Sequence, residues 1–82
     1  MDLIKYAKSC VVRYFNSRAD KTSNFKILED DVYVVWFCKT LQNFKSLLST
    51  TVTDGMYYEV TYDGGKGIVY LDAYKKWENV EY

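Results

Sequence analysis

Val32 to Leu41 reads VYVVWFCKTL, a run of β-branched and aromatic residues that is apolar at both alternating positions until Lys39. Side chains of this kind suit a pleated strand better than a helix. Because both faces are apolar, the pattern predicts a central strand covered on both sides. Downstream, Phe44 to Val52 reads as a half-exposed strand with Phe44, Leu48 and Val52 on one face, although Leu47 breaks the alternation. Thr53-Asp54-Gly55 follows as a hairpin connection, since Asp-Gly accepts the positive φ angles of a tight turn.

Met56 to Tyr62 then returns as a strand, with Met56, Tyr58, Val60 and Tyr62 on one side and Tyr57, Glu59 and Thr61 on the other. Asp63-Gly64-Gly65-Lys66-Gly67 makes the next reversal; its glycines sit between strands, with no following helix to make a phosphate-binding loop. Ile68 to Tyr74 is the last strand, placing Val69, Leu71 and Ala73 on one face and Ile68, Tyr70, Asp72 and Tyr74 on the other. Lys75 to Tyr82 is a charged tail for which Trp77 and Val80 are candidate anchors.

Upstream, Leu3, Ile4, Ala7, Cys10, Val11, Tyr14 and Phe15 recur at three- and four-residue steps, which places them on one stripe of a helix. Asp2 stands at its N-terminal end and Arg13 and Arg18 toward the other, the polarity that complements the helix dipole. Asn16 to Asn24 is a polar connection. Phe25 to Leu28 reads either as a short fifth strand or as an irregular lead-in before Glu29-Asp30-Asp31. The whole is an α+β fold: an N-terminal amphipathic helix on one face of an antiparallel meander of four strands, with this fifth candidate, in one domain spanning 1–82.

A chain of 82 residues buries roughly 60 to 65 % of its unfolded surface, so its core must be dense. Nine Tyr, four Phe and two Trp supply the bulk for it. Eleven basic residues balance eleven acidic ones, which removes any bulk electrostatic drive toward nucleic acid or an anionic membrane. The balance is uneven, six basic against two acidic residues over Met1 to Leu28 and five against nine over Glu29 to Tyr82. Cys10 and Cys38 lie in apolar stretches without paired spacing, reading as small buried hydrophobes in a reducing cytoplasm rather than a disulfide framework or zinc site. No apolar run has the length of a membrane span, and charges at Asp2, Lys5 and Lys8 interrupt the N-terminus where a signal peptide needs an apolar core.

The chain has no histidine, so Ser-His-Asp, Cys-His and His-metal arrangements are all excluded. Paired acids at Asp30 and Asp31, or at Glu59 and Asp72, flank turns and strands, where carboxylates are ordinarily solvated rather than catalytic. The reading is therefore of a protein that is not an enzyme and needs no cofactor or metal. One helix cannot cover both faces of a four-stranded sheet, so one face meets solvent, a partner or a second copy. The candidate binding residues are Tyr58, Tyr62, Tyr70, Asp72, Tyr74 and Trp77, with Tyr70, Asp72 and Tyr74 sharing a face and Tyr58 and Tyr62 taken as their neighbours across the hairpin. The plain structural alternative is that these tyrosines cap the core with their hydroxyls in water. Stacking of single-stranded nucleic acid on the rings, with Lys39, Lys45 and Lys75 on its backbone, is disfavoured by the acidic balance of this half.

DDVYVVWFCKTLQNFKSLLSTT at 30–51, YYEVTY at 57–62, YLDAYKKWEN at 70–79 and the YAKS of the helix resemble a family of small uncharacterised proteins of phages, prophages and mobile elements of low-GC Gram-positive bacteria. The resemblance carries no known chemistry and assigns no residue a role. It implies a setting, the cytoplasm of a bacterial host, where small accessory proteins bind and modulate host proteins. The leading expectation is accordingly a non-catalytic accessory protein that binds a host protein. Two others stand beside it: a nucleic-acid-associated protein using Lys5, Lys8, Arg13 and Arg18 on the helix, and a structural homodimer joined through the sheet.

Overall fold

A computed structural model describes residues 2–18 and 26–82. Helix α1 spans Leu3–Arg18, one turn beyond the periodic stripe that ends at Phe15. It starts at Asp2, whose Oδ1 accepts from the N–H groups of Ile4 and Lys5 at 3.1 Å each while its carbonyl accepts from Tyr6 at 2.9 Å. The cap satisfies donors that the first turn otherwise leaves unpaired. Ala7 and Val11 are completely buried, and the small side chain at 7 lets the helix lie close to the sheet. Ile4, expected on the apolar stripe, stays 42 % exposed at its margin.

Asn16, expected in the polar connection, is the last firm tie of the helix. Its Nδ2 donates to the carbonyl of Ile27 at 3.1 Å, and its Oδ1 accepts from the Ile27 N–H at 3.0 Å. The amide thus replaces a strand neighbour for Ile27, whose side chain enters the core. Residues 26–28 form no strand; Phe25, the other part of the fifth-strand expectation, lies outside the described residues. A single 3-10 turn at Glu29–Asp31 leads into the sheet, held by Asp31, whose Oδ2 accepts from the Leu28 N–H at 2.9 Å.

The strands are β1 Val32–Thr40, β2 Asn43–Thr50, β3 Met56–Asp63 and β4 Ile68–Lys75. They form one antiparallel meander in the order β1-β2-β3-β4. The stretch at 32–40 is therefore an edge strand, correcting the central position that its two apolar faces suggested. The half-exposed expectation for 44–52 holds from Phe44 to Leu47, where burial alternates, but β2 is central, Leu48 to Thr50 are all buried, and Val52 falls beyond its end. A bulge between Val34 and Trp36 explains the confusion, because it sets Val35 and Trp36 together opposite Leu47. The Trp36 carbonyl accepts from the buried hydroxyl of Ser46 at 3.0 Å, which offsets the ladder bond the bulge disrupts.

The two-residue turn at Leu41 and Gln42 carries Leu41 at φ 54°, a left-handed conformation that is costly for leucine. At the same end of the sheet the β3–β4 turn closes with Gly67 at φ 66° and its N–H donating to the Asp63 carbonyl at 2.8 Å. Gly64 presses on the first turn, and its N–H donates to Asn43 Oδ1 at 2.8 Å. At the other end Gly55 takes φ 73°, and Asp54 Oδ1 accepts from Met56 N–H at 3.1 Å.

The helix covers one face only, and the molecule is 20 Å through its thinnest dimension, the depth of one helix layer on one sheet layer. The core between them holds Ala7, Val11, Ile27, Val32, Phe44, Leu48, Tyr58 and Val60. Aromatic rings line its end near Tyr6, with Phe44 stacked between Phe37 and Tyr62 at 5.5 Å on each side and Tyr6 edge-on to Phe44 at 6.5 Å. Trp77 is 94 % exposed and Val80 51 %, so neither anchors the tail.

Candidate interaction surface

The strand registers determine what the uncovered face carries. One row across the sheet is Tyr33, Ser49, Tyr57 and Tyr74, and the next is Trp36, Leu47, Glu59 and Asp72. A third is Cys38, Lys45, Thr61 and Tyr70, beyond which Thr40 pairs with Asn43 and Asp63 with Ile68. Five of these residues are Tyr or Trp, and Tyr33, Trp36, Tyr70 and Tyr74 are each between 41 and 52 % exposed. Ser49 is buried among them, its hydroxyl donating to the Met56 carbonyl at 2.8 Å.

Of the six residues singled out from the sequence, the structure brings together Tyr70, Asp72 and Tyr74 on this face. Tyr58 and Tyr62 lie on the opposite, helix-covered face, which corrects their expected place beside Tyr70. Tyr58 pairs with Ala73 and Tyr62 with Val69, the apolar phase of β4. Tyr58 is buried against Tyr14 at 5.9 Å, and Tyr62 meets Tyr6 at 6.4 Å. Burial, with lesser contributions from Asp54 and Tyr14, pushes the Tyr58 phenol above its ordinary range. Trp77 stands past the end of β4, apart from the face.

Sequence reasoning missed Tyr33, Trp36 and Tyr57. A signal for Tyr57 was present: the more apolar phase of β3, with Met56 and Val60, belongs opposite the more apolar phase of β4, with Val69 and Leu71. Matching those phases turns Tyr57 outward. Trp36 gave no comparable sign, because the bulge that turns it outward leaves no mark in the alternation.

The charges on this face are few. Lys45 Nζ lies 3.7 Å from Glu59 Oε1, a partly exposed pair worth about 0–1 kcal/mol. Glu59 is also directly opposite Asp72 across the β3–β4 pair. An open concavity of about 270 Å³ lies at the Asp63 end, lined by Cys38, Thr40, Asn43, Lys45 and Thr61 among others. Among the described residues no group of three or more His, Cys, Asp or Glu could hold a metal ion. On the helix, Lys5 and Lys8 share a groove with Glu29 and Asp30, and the Arg18 guanidinium rests 5.3 Å from the Tyr14 ring centre. The basic ridge is thus interrupted by acids. No helix among the described residues is long and apolar enough to cross a membrane.

These features define a two-layer α+β domain with one bare, aromatic sheet face. The chain belongs to a family of unknown function, DUF6275, whose model matches residues 4–82. No curated protein and no solved structure matches it.

Proposed function

We propose that this protein is a non-catalytic accessory protein of a phage or mobile element that binds a protein of its bacterial host through the uncovered sheet face and blocks that protein sterically. The observation that supports the reading is the concentration of Tyr33, Trp36, Tyr57, Tyr70 and Tyr74 on the one face that the helix leaves bare. Tyr and Trp contribute most to interface energy because their large rings lose little conformational entropy when fixed. The phage setting and the host cytoplasm rest on the sequence resemblance alone. Nucleic-acid binding by the helix is the weaker reading, since Glu29 and Asp30 stand beside Lys5 and Lys8.

A photoreactive phenylalanine analogue placed at Trp36 or Tyr70 should crosslink a single host protein in cells, while the same group at Arg13 on the helix should not. Tyr70→Ala with Tyr74→Ala should abolish the crosslink from position 36 without changing the circular dichroism spectrum. Equal crosslinking from the helix, or none from the sheet, refutes the reading.

A further inference from the structure

The bare face is not merely apolar; it is acidic around one point. Among the described residues it carries Lys45 against Glu59, Asp63 and Asp72, one positive charge and three negative, a formal balance of −2. The single cation is already engaged, because Lys45 reaches Glu59 from the β2 side. Asp72 faces Glu59 directly across the strand pair, an arrangement of like charges that costs stability. It has no ion pair among the described residues.

Its neighbours give this unpaired carboxylate a shape. Tyr70 and Tyr74 lie two residues before and after it on the same face, about 7 Å away along the strand on each side. Both rings are about half exposed. A carboxylate flanked by phenol rings suits a guanidinium, which bonds the two oxygens with its planar fork and lays its faces against the rings. A phosphate backbone would be repelled. A second copy docked sheet to sheet would bring two faces of charge −2 together, which also counts against that occupant.

We propose, building on the docking role above, that the partner protein presents an exposed arginine that enters between Tyr70 and Tyr74 and pairs with Asp72. The inference names the anchor of the interaction, and it can fail while the docking role stands. It also gives the opposed carboxylates a purpose: Asp72 keeps a repulsion within the sheet that a cationic partner relieves.

The test is titration of the isotopically labelled full chain with the blocked peptide acetyl-Ser-Arg-Tyr-Arg-Ser-amide and with its citrulline analogue, which keeps the shape and lacks the charge. The arginine peptide should move the amide resonances of Tyr70, Asp72, Tyr74 and Glu59, and it should bind about fivefold more tightly than the citrulline peptide, the size of one solvent-screened ion pair. Asp72→Asn should remove that preference and raise the thermal midpoint by relieving the repulsion from Glu59, which excludes misfolding as the cause. Asp63→Asn, at the far end of the face, should leave the preference unchanged. Equal binding of both peptides at these residues overturns the arginine anchor and leaves the docking role intact. Shifts elsewhere or no shifts overturn the anchor as well, and the crosslink from position 36 then judges the docking role separately. Sedimentation showing a dimer that dissociates on Tyr70→Ala with Tyr74→Ala replaces the partner with a second copy.

Discussion

Replacing Asn16 by Ala tests how the segment ahead of the sheet is held to the helix. The variant loses two hydrogen bonds, at 3.1 and 3.0 Å, and leaves the N–H and C=O of Ile27 without their protein partners. Each bond contributes about 0.5–1.5 kcal/mol net, and stranding a buried polar group costs about 1–3 kcal/mol. The pair is only partly buried, so water recovers some of that loss, and the expected destabilisation is about 2–3 kcal/mol. A chain of 82 residues has a total stability of about 4–12 kcal/mol, so the loss is a large fraction of it. With a urea slope of about 1 kcal/mol/M for so small a domain, the unfolding midpoint should fall by about 2–3 M, read by tryptophan fluorescence and circular dichroism together. Asn16→Asp separates the two bonds. At neutral pH its carboxylate still accepts from the Ile27 N–H but opposes the Ile27 carbonyl, so the variant should be destabilised as well. Folding then favours the protonated acid, which raises its folded-state pKa; stability should be present at low pH and lost as pH rises through that value. A midpoint shift below about 0.5 M for Asn16→Ala, or an Asn16→Asp variant equal to the parent at pH 7, refutes the clamp.

Three further predictions address the turns and the titrating groups. A methyl group added by Gly64→Ala would strike the Gln42 carbonyl, so that variant should lose about 1–3 kcal/mol in chemical denaturation; Gly65→Ala meets side-chain ends, Gln42 Nε2 at 3.3 Å and Asp63 Oδ1 at 3.4 Å, and should lose markedly less. Because burial raises the Tyr58 phenol above its ordinary value of 10.0, the folded state holds that proton more tightly than the unfolded chain. Stability from this group should be intact below pH 10.0 and fall as pH rises through the folded-state value, and Tyr58→Phe should flatten that alkaline decline in a series of urea melts. An equally steep decline in the variant would assign the effect elsewhere. Burial likewise pushes the Cys10 thiol up against a smaller opposing pull from Arg13, whereas Cys38, expected from the sequence to be buried, is exposed on the bare face because it lies on an edge strand. Alkylation of the native protein followed by peptide mapping should therefore modify Cys38 first, and prior modification of Cys10 would contradict the packing of α1.

Much of the fold was legible because hydrophobic periodicity is a local property. The three- and four-residue spacing from Leu3 to Phe15 marks a helix whatever it packs against, and Asp54-Gly55 and the glycines after Asp63 mark reversals by their own backbone freedom. Asn16 was harder to read: its role depends on a carbonyl and an N–H eleven residues away, which no local pattern announces. The candidate surface was half legible. Tyr70, Asp72 and Tyr74 share a face by strand alternation alone, but which β3 phase joins them depends on how the two strands pair.

The amino-acid order alone determined a helix followed by a meander, an absence of histidine chemistry and a surplus of aromatic rings, since each follows from composition or short-range spacing. Only the tertiary structure decided which rings stay outside. A strand exposes alternate residues to opposite faces, so a one-residue change of phase exchanges the two sets, and that phase is set by cross-strand register and by the bulge at Val35. Those long-range pairings sent Tyr58 and Tyr62 under the helix and left Trp36, Tyr57 and Asp72 on the bare side, with Glu59 rather than a cation opposite Asp72.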